Sequence, residues 1–311
     1  MKTLLSLLVL AALIVACSSS DPAITKDMLD GGTIFDPSIY KPELYLVSKA
    51  IPKPTAAQAQ RPVIIACHGY SATTFEWDEL RTWANGRTDF YLSQVLLGGH
   101  GRSYDDFKKS SWHDWQAAIA AEYEALLKAG YTNISLLTSS TSGPLLLELV
   151  ASGYFANKPA PRNLMLVDPI VIPSDKTLSL IGVVGPMLGY TDSKQPTTED
   201  KVYYHFRPQE TLQQLQNLLT VVRKDLEKGV TLPASCSMKV YKSKKDPTAD
   251  PVSAVLIYQG VKTSDGKSIA VDMIDSDLHV YTRLALVTQV TATDKANQTA
   301  TFADIVARVL K

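Results

Sequence analysis

Ile134-Ser135-Leu136-Leu137-Thr138-Ser139-Ser140-Thr141-Ser142-Gly143-Pro144 runs from a short apolar stretch through a Ser/Thr-rich turn to an early-helix proline. The apolar part predicts a strand over Ile134–Leu137, and the residues after Gly143 predict a helix over Pro144–Ser152, where proline is tolerated near the start. A serine on such a tight strand-to-helix turn is pushed out toward solvent, and its neighbours must be small because the turn leaves little room. Ser140 occupies that place, with Thr138 two before it and Ser142 two after, where glycines are usual. Thr138 is β-branched and the less comfortable of the two. Ser139 and Ser142 stand as rivals to Ser140, and a Ser-rich loop capping a helix is the structural alternative for the whole stretch.

The same rhythm continues in both directions. Val63–Cys67 is a continuous apolar run ending in His68-Gly69, Phe90–Leu97 ends in Gly98-Gly99-His100-Gly101, and Leu164–Val167 and Met238–Tyr241 are strand-like. Such runs suit strands buried on both faces of a parallel sheet. A further strand is expected over Tyr45–Ile51, followed by a loop over Pro52–Arg61. Helices are expected over Glu76–Ala84 and Trp112–Ala129, the latter with Trp115, Ile119, Tyr123, Leu126 and Leu127 on one face and Gly130 as its stop. Alternating strands and helices predict an α/β fold, a mostly parallel central sheet flanked by helices, whose ligands bind at the carboxyl ends of the strands. Between about 170 and 230 the rhythm breaks: Leu178–Leu188 is apolar and Gly-rich, and Glu210–Lys228 is an amphipathic helix carrying Leu212, Leu215, Leu218, Leu219, Val222 and Leu226. The expected organisation is a core of 41–169 and 231–311, a small inserted helical cap over 170–230, and a closing helix over Phe302–Leu310.

The 311 residues carry 31 Lys+Arg against 31 Asp+Glu, so the basic excess of a nucleic-acid binder is missing. With 45% hydrophobic and 20% charged residues the chain is no disordered polyelectrolyte, and it is long enough to bury a sizeable core. Met1-Lys2 and the apolar run Leu4–Val15 have the form of a signal peptide over 1–16, too short to span a bilayer comfortably. Ile14-Val15-Ala16-Cys17 resembles a bacterial lipobox, in which Cys17 receives the lipid; an ordinary secretory signal is the alternative. Residues 17–40 then form a tether and N-terminal extension. Ser18, not an acidic residue, follows Cys17, so the resemblance implies a lipid-anchored protein of the bacterial cell envelope, on the outer rather than the inner membrane. Cys67 and Cys236 are left as two buried thiols or, alternatively, one disulfide.

An acid and a histidine come after Ser140 in the order that elbow-type nucleophiles use. Asp246-Pro247-Thr248-Ala249-Asp250-Pro251-Val252-Ser253-Ala254 comes after the strand at Met238–Tyr241, and Ser276-Asp277-Leu278-His279-Val280 comes near the end. Asp250 competes with Asp246, and no histidine other than His279 lies beyond either. With His68-Gly69-Tyr70, Gly99-His100-Gly101, Asp114-Trp115 and the Leu-rich helix Thr211–Asp225, the chain over roughly 60–311 resembles the α/β-hydrolase family of bacterial carboxylesterases and monoacylglycerol lipases. The resemblance implies a serine hydrolase of short- or medium-chain esters or monoacylglycerols. In it Ser140 is the nucleophile, His279 the general base and acid, and Asp246 the residue that orients the imidazole. It also implies an oxyanion hole of the Tyr70 and Thr141 backbone N–H groups, worth about 3 kcal/mol per donor. The departures are Thr138 and Ser142 at the elbow. They leave open a binding lipoprotein on a hydrolase fold, and the same triad also suits an acyltransferase. No cofactor and no metal is expected, since no Cys/His cluster has ligand spacing and Gly98, Gly99 and Gly101 lack a phosphate-loop pattern. The expected partners are an ester or lipid substrate and the membrane through its anchor. His68 and His100 are expected to shape turns, His113 and His205 to be surface or structural, and Leu178–Leu188 to contact an acyl chain.

Overall fold

The computed structural model describes residues 41–176, 178, 189–193, 195–196, 198–199 and 201–311. The expected signal peptide at 1–16, Cys17, the tether to residue 40 and all of the apolar 178–188 stretch except Leu178 lie outside the described residues. Six strands, β1 (Val63–Cys67), β2 (Tyr91–Val95), β3 (Ile134–Ser139), β4 (Asn163–Val167), β8 (Ser237–Ser243) and β10 (Ala270–Ile274), form one parallel sheet in the order β10-β8-β4-β3-β1-β2. Short β5 (Tyr190–Asp192) pairs antiparallel with β6 (Phe206–Pro208), and β7 (Val230–Thr231) pairs parallel with β9 (Val261–Lys262).

Side chains alternate across the sheet, so each strand feeds both faces. Ile64, Ala66, Leu137, Met165, Val167 and Tyr241 meet α4 (Asp78–Trp83) and α10 (Ala292–Val309) through Leu80, Phe302, Ile305 and Val306. Val63, Ile65, Cys67, Leu136, Leu164, Leu166 and Val240 face the other layer: α6 (Trp112–Ala129), α7 (Ser142–Ala151), α8 (Gln209–Lys228) and α9 (Val252–Gly260). Burial on both faces is why these strands read as unbroken apolar runs. In register, Cys67 stands opposite Val95 and Thr138, Ser139 opposite Val167, and Val167 opposite Tyr241. The carboxyl ends therefore share one rim, and the loops leaving them converge there.

Three elements differ from expectation. Tyr45–Ile51 is not a strand but part of two helical turns, α1 (Pro42–Tyr45) and α2 (Val47–Ala50), with α3 (Ala56–Gln60) inside the expected loop. Pro42 presets the first turn, and the buried Glu122 accepts both the N–H and the hydroxyl of Ser48, so α2 lies over the β2 edge. The last helix begins ten residues early, at Ala292, where Thr291 and Asp294 form a capping box; its first half is polar and carries no apolar stripe. β10 gives no strand signal because, as an edge strand, it is largely exposed.

Within 170–230, α8 lies in the helix layer between α7 and α9 with Leu215, Leu218, Leu219, Val222 and Leu226 in the core. The segment before it is clamped to the loop after β1. Tyr204 N–H donates to Ser71 O at 2.9 Å, Thr73 Oγ1 donates to Val202 O at 2.9 Å, and the Tyr204 ring stacks 4.2 Å from that of Phe107 on α5 (Tyr104–Lys109). Among the described residues no helix is long and apolar enough to cross a membrane. Cys67 and Cys236 are buried free thiols, so the disulfide alternative falls; burial pushes Cys236 up to about 12.

Candidate active site

Ser140 sits between β3 and α7 with φ +49°, the left-handed region a side chain rarely adopts without strain. Gly69 makes room for Ser140 itself, and Gly143 lets the turn pack against Pro169. A Cβ on Gly69 would lie 2.9 Å from Ser140 Cβ, and one on Gly143 would lie 2.8 Å from Pro169 Cβ. The unusual flanks are accommodated. Thr138 is still in the strand, paired between Cys67 and Leu166. Ser142 Oγ accepts from Ser139 N–H at 2.9 Å and donates to Cys67 O at 2.8 Å, tying the turn to β1. Ser139 donates its hydroxyl to Glu76. Both rival serines are thus held in structural bonds, and Ser140 is the one that reaches the histidine.

His279 Nε2 lies 2.9 Å from Ser140 Oγ, and His279 Nδ1 lies 2.9 and 3.0 Å from the two oxygens of Asp246. Burial alone would raise the Asp246 carboxyl, but the hydrogen bond from His279 and the adjacent Lys242 ammonium hold it down to about 2. Asp246 is therefore an anion, Nδ1 carries the proton donated to it, and Nε2 presents its lone pair to the Ser140 hydroxyl. Asp246 also accepts from Thr248 and Ala249 N–H at 2.8 and 3.0 Å, which holds the carboxylate toward the imidazole. Its competitor Asp250 instead accepts from Val252 N–H at 2.9 Å, at the head of α9.

Behind Asp246 lies a network the sequence reading missed. Lys242, fully buried on β8, donates to Asp246 and, at 3.2 Å, to Asp168 Oδ1. Asp168 stands just after β4 with φ +44° and also accepts from Ser243 N–H at 2.7 Å, Ser243 Oγ at 3.1 Å and Tyr281 N–H at 3.3 Å. Burial pushes the Asp168 carboxyl up and Lys242 pulls it back; every contact made to it is from a donor, the pattern of an anion. One cation between two carboxylates leaves a single net negative charge beside the imidazole. Asp168, Asp246 and His279 bring ligand atoms within 4.8 Å of one another, the spacing of a metal set, but the Lys242 ammonium already bridges the two carboxylates. The available signal was a lysine inside a strand buried on both faces, four residues before an aspartate. Glu76 was also missed. Buried beneath the turn, it accepts from Gly69 N–H at 2.9 Å and from Ser139, joining the loop after β1 to the elbow.

A cavity of about 610 Å³ opens over Ser140 and His279. Tyr70 and Thr141, the expected oxyanion donors, both line it, and Thr141 precedes the first turn of α7, whose N–H groups have no partner within the helix. Ile170, Leu178, Leu212 and Leu215 supply apolar wall, so Leu178 is the part of the expected acyl-contact stretch that is described. His68 bridges two strand ends: its Nε2 accepts from Leu97 N–H at 3.0 Å and its Nδ1 donates to Gly69 O at 2.9 Å. His100 sits among Tyr70, Phe107, Trp115 and Tyr204. Burial pulls His68 down to about 4 and lowers His100 well below its ordinary range, so both are neutral turn-shaping groups. His205 pairs with Asp192 across β5 and β6, and His113 stacks on Trp112.

The order of strands and the serine turn at their carboxyl rim define the class: the chain has the α/β-hydrolase fold. In sequence and structure it resembles carboxylesterases and monoacylglycerol lipases. It is 24% identical to a thermostable monoacylglycerol lipase of Bacillus sp. (strain H-257) over 209 residues, 65% of this chain and 77% of that relative. Among solved structures it is similar to a metagenome-derived lipolytic enzyme (TM-score 0.60, 18% identical, covering 80% of this chain and 94% of that one). It is also similar to the monoglyceride lipase of Saccharomyces cerevisiae (TM-score 0.60, 10% identical, covering 83% and 88%). At such identities the structural likeness carries the fold alone. No family model matches the chain.

Proposed function

We propose that this carboxylic-ester hydrolase works through an acyl-enzyme on Ser140. Ser140 Oγ attacks the ester carbonyl while His279 Nε2 takes its proton. The Tyr70 and Thr141 N–H groups receive the oxyanion, and His279 returns the proton to the leaving alcohol. Water, activated by the same Nε2, then releases the acid. Asp246, backed by Lys242 and Asp168, holds the tautomer and stabilises the imidazolium. The observation that carries this reading is the 2.9 Å contact between His279 Nε2 and Ser140 Oγ, made by a serine in a strained turn. A non-catalytic binding protein has no need of that strain, and it would leave the serine turned away. The apolar wall and the likeness to monoacylglycerol lipases favour short- or medium-chain acyl esters or monoacylglycerols as substrates.

The test is a fluorophosphonate applied to the protein without residues 1–16 and with Cys17→Ser, the labelled residue being mapped by peptide mass spectrometry. Labelling at Ser140 and its loss in Ser140→Ala are expected; labelling at Ser139 or Ser142, or none on folded protein, refutes the reading. The lipobox-like Ile14–Cys17 further supports a lipid anchor at Cys17 in a bacterial outer membrane. Metabolic labelling with a palmitate analogue, lost in Cys17→Ser, with membrane fractionation alongside, checks it.

A further inference from the structure

The cavity over Ser140 also holds a cation whose Nε has no hydrogen-bond partner among the described residues. Arg207, on β6, lines the same cavity as Ser140 and His279. Its Nε is fully enclosed and meets no hydrogen-bond acceptor among the described residues. No carboxylate among the described residues forms an ion pair with its guanidinium. Burial draws the guanidinium below its ordinary range, with only the Tyr70 phenol and the Glu199 carboxylate acting against it from a distance.

Of the other charges around the cavity, Glu199 also lines it and acts on Arg207 only from a distance. Glu76 holds Gly69 N–H and Ser139. Arg283 lines the cavity too and its Nε likewise meets no acceptor among the described residues, but its guanidinium donates to Ala285 O at 2.7 Å and lies 5.2 Å over the Tyr203 ring. Asp175 has a partner of its own. A half-buried guanidinium left unpaired is costly, and it persists where an occupant supplies the missing acceptors. Its planar fork matches a carboxylate or a phosphate better than a hydroxyl. The apolar wall of Ile170, Leu178, Leu212 and Leu215 shares the cavity, whose volume is that of a site for one small molecule.

We infer that Arg207 receives an oxyanion borne by the ester substrate, a carboxylate or a phosphate, so that the preferred esters are anionic. This rests on the ester-hydrolase reading above. The oxyanion can belong to either half of the ester: a free carboxylate at the far end of a dicarboxylic acyl group, or a phosphate on the alcohol. Glu199, the carboxylate whose charge reaches Arg207, competes with that oxyanion and moderates the preference.

The test measures kcat/KM for matched ester pairs. In the acyl arm, mono-4-nitrophenyl adipate is compared with 4-nitrophenyl hexanoate; in the alcohol arm, monobutyryl glycerol 3-phosphate is compared with monobutyrylglycerol. The wild type is expected to favour the anionic member at least about 10-fold in one arm, which identifies the half that carries the charge. Arg207→Met should lower that anionic-to-neutral ratio by about 10- to 100-fold, chiefly through KM. Arg207→Lys should retain part of the ratio, and Glu199→Gln should raise it. Melting curves check that each variant is folded, and since the readout is a ratio within one preparation, a loss of active fraction cancels. A wild type without anionic preference in either arm overturns the inference, as does an Arg207→Met variant that lowers both members alike. Failure of every ester, neutral ones included, would instead remove the hydrolase reading.

Discussion

At the residue scale, the site depends on a few contacts that leave no slack. Gly69 is one: a methyl group there would press on Ser140 Cβ from 2.9 Å. Gly69→Ala is expected to displace Ser140, the proposed nucleophile, and cut kcat by about 100-fold, since misplacement by an ångström costs that much; steady-state kinetics beside a melting curve would show activity falling far more than stability. Lys242 is another. In Lys242→Met two buried carboxylates, Asp168 and Asp246, lose the cation between them, which should cost about 3–5 kcal/mol. The pair then takes up a proton more readily, so support for His279 fails at higher pH and the acid limb of kcat/KM moves up. Adding Asp168→Asn to Lys242→Met restores the single negative charge, and urea midpoints together with the pH profile should recover in part. A double variant as impaired as the single one would show that Lys242 acts only by packing. Asp246→Asn, which keeps the shape and removes the anion, should lower kcat by about 10⁴-fold.

At the scale of elements, the helices start where short polar signals meet the first turn, not where apolar periodicity begins. α6 starts at the Ser111/Asp114 capping box and stops at Gly130 with φ +99°. α10 starts at the Thr291/Asp294 box, ten residues before its first fully apolar stretch. Thr291→Ala removes the hydroxyl that accepts from Asp294 N–H and leaves the backbone bond from residue 291 to the Asp294 carboxylate, and should cost about 1 kcal/mol. Urea unfolding measures this, and no shift in midpoint would mean that α10 is held by Phe302, Ile305 and Val306 alone. Tyr45–Ile51 illustrates the opposite error: its apolar residues suggest a strand, and the bonds from Ser48 to Glu122, 74 residues away, go with helical turns instead.

At the scale of the whole molecule, the buried histidines couple stability to pH. His68 titrates at about 4 in the folded chain, and an unfolded histidine titrates near 6.5. Between those values the unfolded chain binds more protons. The stability held in neutral His68 is therefore full above 6.5 and lost as pH falls toward 4, by about 3 kcal/mol in all. His100 shifts in the same direction, also through burial. Urea midpoints taken from about pH 7.5 to about pH 4 should fall across that window, and His68→Gln should flatten the slope while lowering the plateau. A slope unchanged in the variant would place the acid sensitivity elsewhere.

Local chemistry in the sequence determined much of this protein. Runs such as Val63–Cys67 and Leu164–Val167 are apolar throughout because parallel strands are buried on both faces, so the sheet was legible from composition. Ser140, Asp246 and His279 were legible as a set because each comes after a strand or a turn signal in the right order, although 139 residues separate the serine from the histidine. Three things were decided only in the folded chain. Thr138 and Ser142 are tolerated because Thr138 is still paired in β3 and Ser142 is bonded across to β1. Asp168 and Lys242 become partners of Asp246 because β4 and β8 are neighbours. Arg207 meets the site because β6 is carried over the strand rim by contacts with the loop after β1. Each depends on the distance between residues far apart in the chain, which the pairing of strands sets and spacing along the chain does not reveal.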